Sequence, residues 1–352
     1  MAPADTIGVG LVGYGLAGRS FHAPFLEAVD GLRLAAIVTA DPERRVRAAE
    51  EHPDTDVVGS VDELLDRSDV DMVVVATPNR FHVPIGLRAL AAGRHVVVDK
   101  PIAMSVSEGE TLIDAAAAAG RLLSVYQNRR WDGDFRTIRR LIAAGALGPI
   151  DSLESRFERS SQVGPEWRES AIEAGGPLRD LGPHLVDQSL ILFGPARRVW
   201  AQADRRRRAS EVDDSVFVAI DHESGVRSRL WMSLIAACSG PRFRLRGVAA
   251  EYVKDDLDAQ EGQLLGGMRP HAPGFGEEVP EKWGRLHRAD GSIERVPTEP
   301  GRYEAFYELL RDAVRTDGPR PVDPIESLRV LRVLEAAERA VTSGTAQTVA
   351  DG

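Results

Sequence analysis

Three groups of residues in this 352-residue chain have the types and spacing that chemistry needs. The first, Gly13-x-Gly15-x-x-Gly18, follows the apolar run Ile7-Gly8-Val9-Gly10-Leu11-Val12 and precedes a helical stretch carrying Phe25, Leu26 and Val29. In such a turn the first glycine permits a tight bend, the second lets the backbone approach a pyrophosphate, and the third lets the helix pack close to its strand. The helix N-terminus then meets the anion with free N–H groups. The second is Lys100, which ends the run His95-Val96-Val97-Val98-Asp99. A cation at the carboxyl end of a buried parallel strand stands where open α/β sheets bind ligands, and it can hydrogen-bond a substrate oxygen and favour its ionised form. The third is Asp180 with His184, four residues apart around a helix start marked by Pro183, which places both side chains on one side. An imidazole can take a hydroxyl proton near neutral pH while a neighbouring carboxylate orients the ring. Taken alone, such a pair is more often a cap and a surface histidine, because caps are common. Asp187, one turn on, is within reach of His184, but reads by default as part of a solvated helix face. His22, beside Phe21, reads as packing near the nucleotide site, because a lone histidine lacks the convergent polar partners of a site.

The elements that must position these groups follow from periodicity. Residues 32–38 form a second apolar strand, and Asp41-Pro42-Glu43 suits a helix cap with proline in the first turn. Residues 71–76 and 94–98 are β-branched runs buried on both faces, as in central parallel strands. Ser105-x-x-Glu108 opens a helix with a capping box, Gly120 closes it, and residues 122–126 are again a strand. This alternation predicts a doubly wound parallel sheet over residues 1–125. Beyond it the pattern changes. Helices are expected at 134–144 and 183–193, and strands at 150–157, 199–203, 215–220, 226–234 and 243–248, which describes a second α/β domain over 126–352 with a large, mainly antiparallel open sheet. Residues 256–300, rich in Gly, Pro and charge, read as a loop or lid, and two helices at 303–314 and 324–341 close the chain.

Composition narrows the partners. The net charge of −10 argues against nucleic acid or an anionic membrane as the main partner, and Arg205-Arg206-Arg207-Arg208 reads as a solvated turn between strands. With Cys238 the single cysteine, no internal disulfide or cysteine-pair metal site can form, which fits a reducing cytosol. No segment reads as a signal peptide or a membrane span. The cytoplasm is therefore the expected location, and no metal is called for.

Ala76-Thr77-Pro78-Asn79 with His82, Asp99-Lys100-Pro101, Trp167-Arg168 and Asp180-Leu181-Gly182-Pro183-His184, together with the glycine turn, resemble the Gfo/Idh/MocA family of nicotinamide-dependent oxidoreductases over nearly the whole chain. Residues 123–132 and 180–188 resemble the branch containing NADP-dependent scyllo-inositol dehydrogenases. The resemblance implies an N-terminal Rossmann domain and a dehydrogenase acting on a secondary alcohol of a cyclic polyol or sugar. In it Lys100 and His184 serve the hydroxyl and Asp180 orients His184. It implies cofactor contacts from Gly13, Tyr14, Gly15, Leu16, Gly18, Thr77, Pro78, Asn79, His82, Lys100, Pro101, Asn128, Trp167 and Arg168, and a cis peptide before Pro101. Asn128, Arg129 and Trp131 would face the cleft and hold substrate hydroxyls, although Trp131 also suits a domain-interface anchor. The family has Glu where this chain has Asp99.

Cofactor choice can be read from the second strand. An NAD-preferring site usually carries an acid at its end, whereas this strand ends Val38-Thr39-Ala40 and the acid comes at Asp41, inside a cap signature. Thr39 and Arg44 suit a 2′-phosphate, so NADP is expected, with NAD kept open by Asp41. The broad sheet face suggests a homo-oligomer, most simply a two-fold dimer. An NAD-dependent glycoside hydrolase and a non-catalytic dinucleotide sensor are alternatives on the same fold.

Overall fold

The computed structural model describes residues 6–160, 175–207 and 210–349. The chain divides into two compact units: Met1–Asn128 with Glu261–Phe275 and Arg302–Leu328, and Arg129–Gln260 with Gly276–Gly301 and Arg329–Gly352.

In chain order the first unit opens with β1 (Ile7–Val12), α1 (Ala23–Ala28), β2 (Leu32–Val38), α2 (Pro42–Glu51), β3 (Asp56–Val58) and α3 (Val61–Leu65). It continues with β4 (Met72–Val75), α4 (His82–Ala91), β5 (His95–Asp99), α5 (Val106–Ala119) and β6 (Leu123–Tyr126). The six strands form one sheet in the order β3-β2-β1-β4-β5-β6, and every pair is parallel. The apolar runs explain the arrangement. All residues of β1 and β4 are buried, which requires cover on both faces, and alternation with helices supplies it. The expected capping box is present, since the Ser105 side chain accepts from the Glu108 N–H, and Gly120 ends α5 in the left-handed conformation.

The second unit begins with α6 (Gly133–Ala143), β7 (Ile150–Glu158), α7 (Pro177–Asp180), α8 (Gly182–Phe193), β8 (Ala196–Asp204), β9 (Ser215–His222), β10 (Arg227–Ser233), β11 (Phe243–Gly247) and β12 (Ala250–Lys254). There follow α9 (Ala259–Leu265), β13 (Gly284–Arg288), β14 (Ile293–Val296), α10 (Glu304–Thr316), α11 (Pro324–Ser343) and β15 (Gln347–Thr348), of which α10, most of α9 and the start of α11 belong to the first unit. Nine strands make one sheet in the order β14-β13-β12-β11-β7-β10-β9-β8-β15. All of its pairs are antiparallel except β7 with β10. One face is apolar: Leu153, Phe243, Leu245, Tyr252 and Leu286 pack with Phe135, Ile138 and Leu141 of α6 into a core cluster. The expectation of a loop or lid over 256–300 is corrected here, because β13 and β14 extend the sheet and α9 is helical. Among the described residues no helix is long and apolar enough to cross a membrane.

Candidate active site

The glycine turn is built as its sequence demands. Gly13 has φ +100, and a Cβ there would stand 2.4 Å from the Ala76 carbonyl oxygen; a Cβ on Gly18 would stand 2.0 Å from the Gly13 oxygen. Backbone atoms block both, so only glycine fits. A Cβ on Gly15 would meet open space, with the Arg44 guanidinium 3.8 Å away. This is the cradle that a pyrophosphate needs, with a cation at its edge. Leu16, in the first turn after the bend, is half-exposed. Tyr14 is buried, donating to Glu51 at 2.6 Å and meeting His52 Nε2 at 2.8 Å. Its side chain therefore ties the turn to the end of α2. Burial first, then the Glu51 hydrogen bond and charge, raise the Tyr14 hydroxyl well above its ordinary value.

The other cofactor candidates of this unit follow strand ends, the ligand-binding edge of a parallel sheet. Thr39 is buried after β2. Asp41 accepts the Arg44 N–H at 3.0 Å as the cap of α2, and its carboxylate lies 3.6 Å from the Arg44 guanidinium. Thr77, Pro78 and Asn79 follow β4, with the Thr77 methyl 3.3 Å from where a Gly13 Cβ would be. His82 is buried with Nδ1 2.8 Å from the Pro101 carbonyl and Nε2 3.0 Å from that of Thr77. It ties the loops after β4 and β5 together, and burial lowers its pKa. Lys100 follows β5, its peptide bond to Pro101 is cis, and its N–H donates to Asp99 Oδ1 at 2.7 Å. Burial alone would raise the Asp99 pKa, but the neighbouring His22 ring and the Lys100 charge hold it below the ordinary value. Asn128 is buried at the end of this unit's first segment.

In the second unit Asp180 ends α7 and His184 lies in the first turn of α8, with Pro183 in that turn as expected. Asp180 lies 3.6 Å from Arg159, and the buried His184 ring stacks on Phe157 with centroids 6.5 Å apart. The expectation that Asp187 faces solvent is corrected. It is buried and bound by Arg130 through two hydrogen bonds of 2.6 and 2.8 Å. Gln188 donates to the Arg129 carbonyl at 2.9 Å and accepts from the buried Arg242 at 2.8 Å. Arg129 pairs with Asp132 at 3.2 Å and lies over the Phe157 ring, and Trp131 is half-buried. Trp167 and Arg168 lie outside the described residues. The sequence reading passed over the roles of Arg130, Gln188 and Arg242, since no local pattern marks a charge for burial.

A family model for the oxidoreductase family with an NAD-binding Rossmann fold matches residues 7–127, and one for the Gfo/Idh/MocA C-terminal domain matches residues 135–253. The chain belongs to the Gfo/Idh/MocA family. It is a nicotinamide-dependent dehydrogenase. The scyllo-inositol 2-dehydrogenase (NADP(+)) IolW of Bacillus subtilis is 36% identical over 90% of this chain and 89% of that protein. The D-glucoside 3-dehydrogenase of Escherichia coli is 30% identical over 53% of this chain and 54% of its own length. In structure, the yvaA protein of Bacillus subtilis superposes with a TM-score of 0.93 at 34% identity, covering 99% of this chain and 100% of that one.

Proposed function

We propose that this enzyme oxidises a secondary alcohol of a cyclic polyol of the inositol class, in the cytosol, with NADP preferred to NAD. The observation that carries the reading is Lys100 at the ligand-binding edge of a parallel sheet, in a chain similar over nine-tenths of its length to a scyllo-inositol dehydrogenase. Bound there, the dinucleotide supplies hydride chemistry. Lys100 hydrogen-bonds the reacting hydroxyl oxygen, His184 takes the hydroxyl proton, and Asp180 orients His184. Gly13, Gly15 and Gly18 would hold the pyrophosphate and Thr77, Pro78 and Asn79 the nicotinamide ribose, and the family resemblance adds Trp167 and Arg168 as further cofactor contacts.

NADP is favoured because the Asp41 carboxylate is occupied as the cap of α2 by the Arg44 N–H, and because Thr39 and the Arg44 guanidinium, turning from its 3.6 Å contact with Asp41, suit a 2′-phosphate. The dimer reading rests on the exposed sheet face. Trp200, Phe217 and Trp231 pack in tilted contact across three neighbouring strands at centroid distances of 5.8 and 5.0 Å, flanked by the pairs Arg198–Asp221 and Arg227–Asp151. An aromatic row bordered by charges of both signs complements a second copy of itself.

The test is a panel of inositols, aldoses and glucosides monitored at the reduced-nicotinamide absorbance with each cofactor. An inositol is expected among the substrates with the higher kcat/KM for NADP, and Arg44→Ala should narrow the gap. Lys100→Ala and His184→Ala should each lower kcat by about 10²–10⁴-fold, and the double variant should cost much less than the two losses multiplied. Near-normal kcat in both single variants refutes the assignment, and cofactor binding without turnover on any alcohol favours a sensor.

A further inference from the structure

We propose that His22 is a positioning residue for Lys100, acting through the Asp99 carboxylate, with the Tyr307 hydroxyl fixing which ring nitrogen faces that carboxylate. The proposal rests on the reading of Lys100 as the group that binds the reacting hydroxyl.

His22 is fully buried, and an imidazole removed from water needs polar partners to offset its lost hydration. Its partners come from distant parts of the chain. Nδ1 is hydrogen-bonded at 2.5 Å to the Tyr307 hydroxyl on α10, whereas Nε2 makes no hydrogen bond and faces Asp99 Oδ2 across 3.7 Å. Tyr126 packs against the ring with centroids 4.3 Å apart, and its own hydroxyl donates to the Phe21 carbonyl at 2.7 Å. A tyrosine hydroxyl donates readily to an unprotonated ring nitrogen, and the proton then resides on Nε2, the nitrogen turned toward Asp99. Burial, then neighbouring charge, raises the Tyr307 pKa well above its ordinary value, which keeps that hydroxyl a donor.

The local backbone explains how the ring reaches this place. Residues Gly18–His22 form a π-helical turn directly after the glycine bend. An extra residue in one turn rotates the succeeding residues by about 100° relative to a regular helix, and His22 ends that turn pointing inward. The two Asp99 oxygens are then divided between two tasks. Oδ1 accepts the Lys100 N–H at 2.7 Å, and Oδ2 faces His22. With His22 gone, the Oδ2 side of the carboxylate loses the imidazole packed against it, and the orientation that presents Oδ1 to the Lys100 N–H is held less firmly. A misplacement of about 1 Å at a reacting group costs on the order of a hundredfold in rate.

The experiment uses His22→Phe, which keeps a ring against Tyr126 and removes both nitrogens, and Tyr307→Phe, which removes only the hydroxyl. Each is measured in the wild-type and Lys100→Ala backgrounds for kcat on the best alcohol, KM, and NADP affinity by calorimetry. His22→Phe should lower kcat by about tenfold to a hundredfold with NADP affinity unchanged, and Tyr307→Phe should act in the same direction but less. Neither should cost anything further once Lys100 is alanine, and the pair together should be no worse than His22→Phe. An unchanged kcat in His22→Phe, or losses that multiply with that of Lys100→Ala, overturns the proposal. Full kcat in Lys100→Ala alone overturns the underlying reading instead. If His22→Phe does not fold, Tyr307→Phe carries the same test, and a loss that persists in the Lys100→Ala background rejects the proposal.

Discussion

Removing the Asp187 carboxylate should destabilise the second unit more than most single substitutions can. Arg130 and Asp187 are nearly inaccessible, with side-chain exposures of 9% and 4%, and two hydrogen bonds of 2.6 and 2.8 Å join them. Solvent screening, which reduces surface pairs to a fraction of a kcal/mol, does not apply here. Breaking a buried pair from one side leaves a charge without its counterion and costs roughly 3–5 kcal/mol. For a unit of this size 1 kcal/mol moves the midpoint by about 2–4 °C, so Asp187→Ala should lower the melting temperature by roughly 6–20 °C. All five tryptophans, at 131, 167, 200, 231 and 283, fall in the segments of the second unit. Their fluorescence therefore tracks this transition in particular. Arg130→Met combined with Asp187→Leu should recover much of the loss, because no unpartnered charge remains. A drop of only a degree or two in Asp187→Ala, or a double variant that loses the sum of the singles, would refute the reasoning.

Gly18→Ala should abolish measurable NADP binding by calorimetry while leaving the tryptophan-detected melt unchanged, because its Cβ would stand 2.0 Å from the Gly13 oxygen in the first unit; retained affinity would show that the turn can shift. Burial and the Asp134 charge raise Asp258 from 3.8 to about 6 against the hydrogen bonds from Gly133 and Gln260, so between those values the folded chain holds a proton that the unfolded chain has lost. Stability of the second unit should therefore fall as pH rises from about 4 to about 6, by on the order of 3 kcal/mol. Melts of wild type and Asp258→Asn across that range should show the slope reduced in the variant.

How much was legible in the sequence depends on whether a residue's environment is set by its neighbours in the chain. The strands β1, β4 and β5 announce themselves, since a β-branched run buried on both faces has few other folds open to it. Lys100 was legible because its strand and Pro101 adjoin it. The strands β13 and β14 were not, because Gly-Arg-Leu-His-Arg and Ile-Glu-Arg-Val are short and charge-rich and gain order only from pairing across the sheet. His22 looked like packing for the same reason. Its polar partners stand 77 and 285 residues away, at distances no periodicity reveals.

Helix α8 illustrates what such distant partners accomplish. His184, Asp187 and Gln188 stand at positions i, i+3 and i+4, which share one face of a helix. An isolated helix would turn that polar face to water. Here all three are buried. The face is held inward because Arg130 binds Asp187 while Arg242 and the Arg129 carbonyl bind Gln188. These bonds fix the rotation of α8 about its axis, and the direction of the His184 ring is set by that rotation. Asp187→Ala should consequently reduce kcat even below its melting temperature, where the unit is still folded. Asp187→Asn, which keeps one oxygen to accept from Arg130, should retain more of that kcat than Asp187→Ala does. Equal activity in the two variants and the wild type would mean that the stacking of His184 on Phe157 suffices to aim the ring.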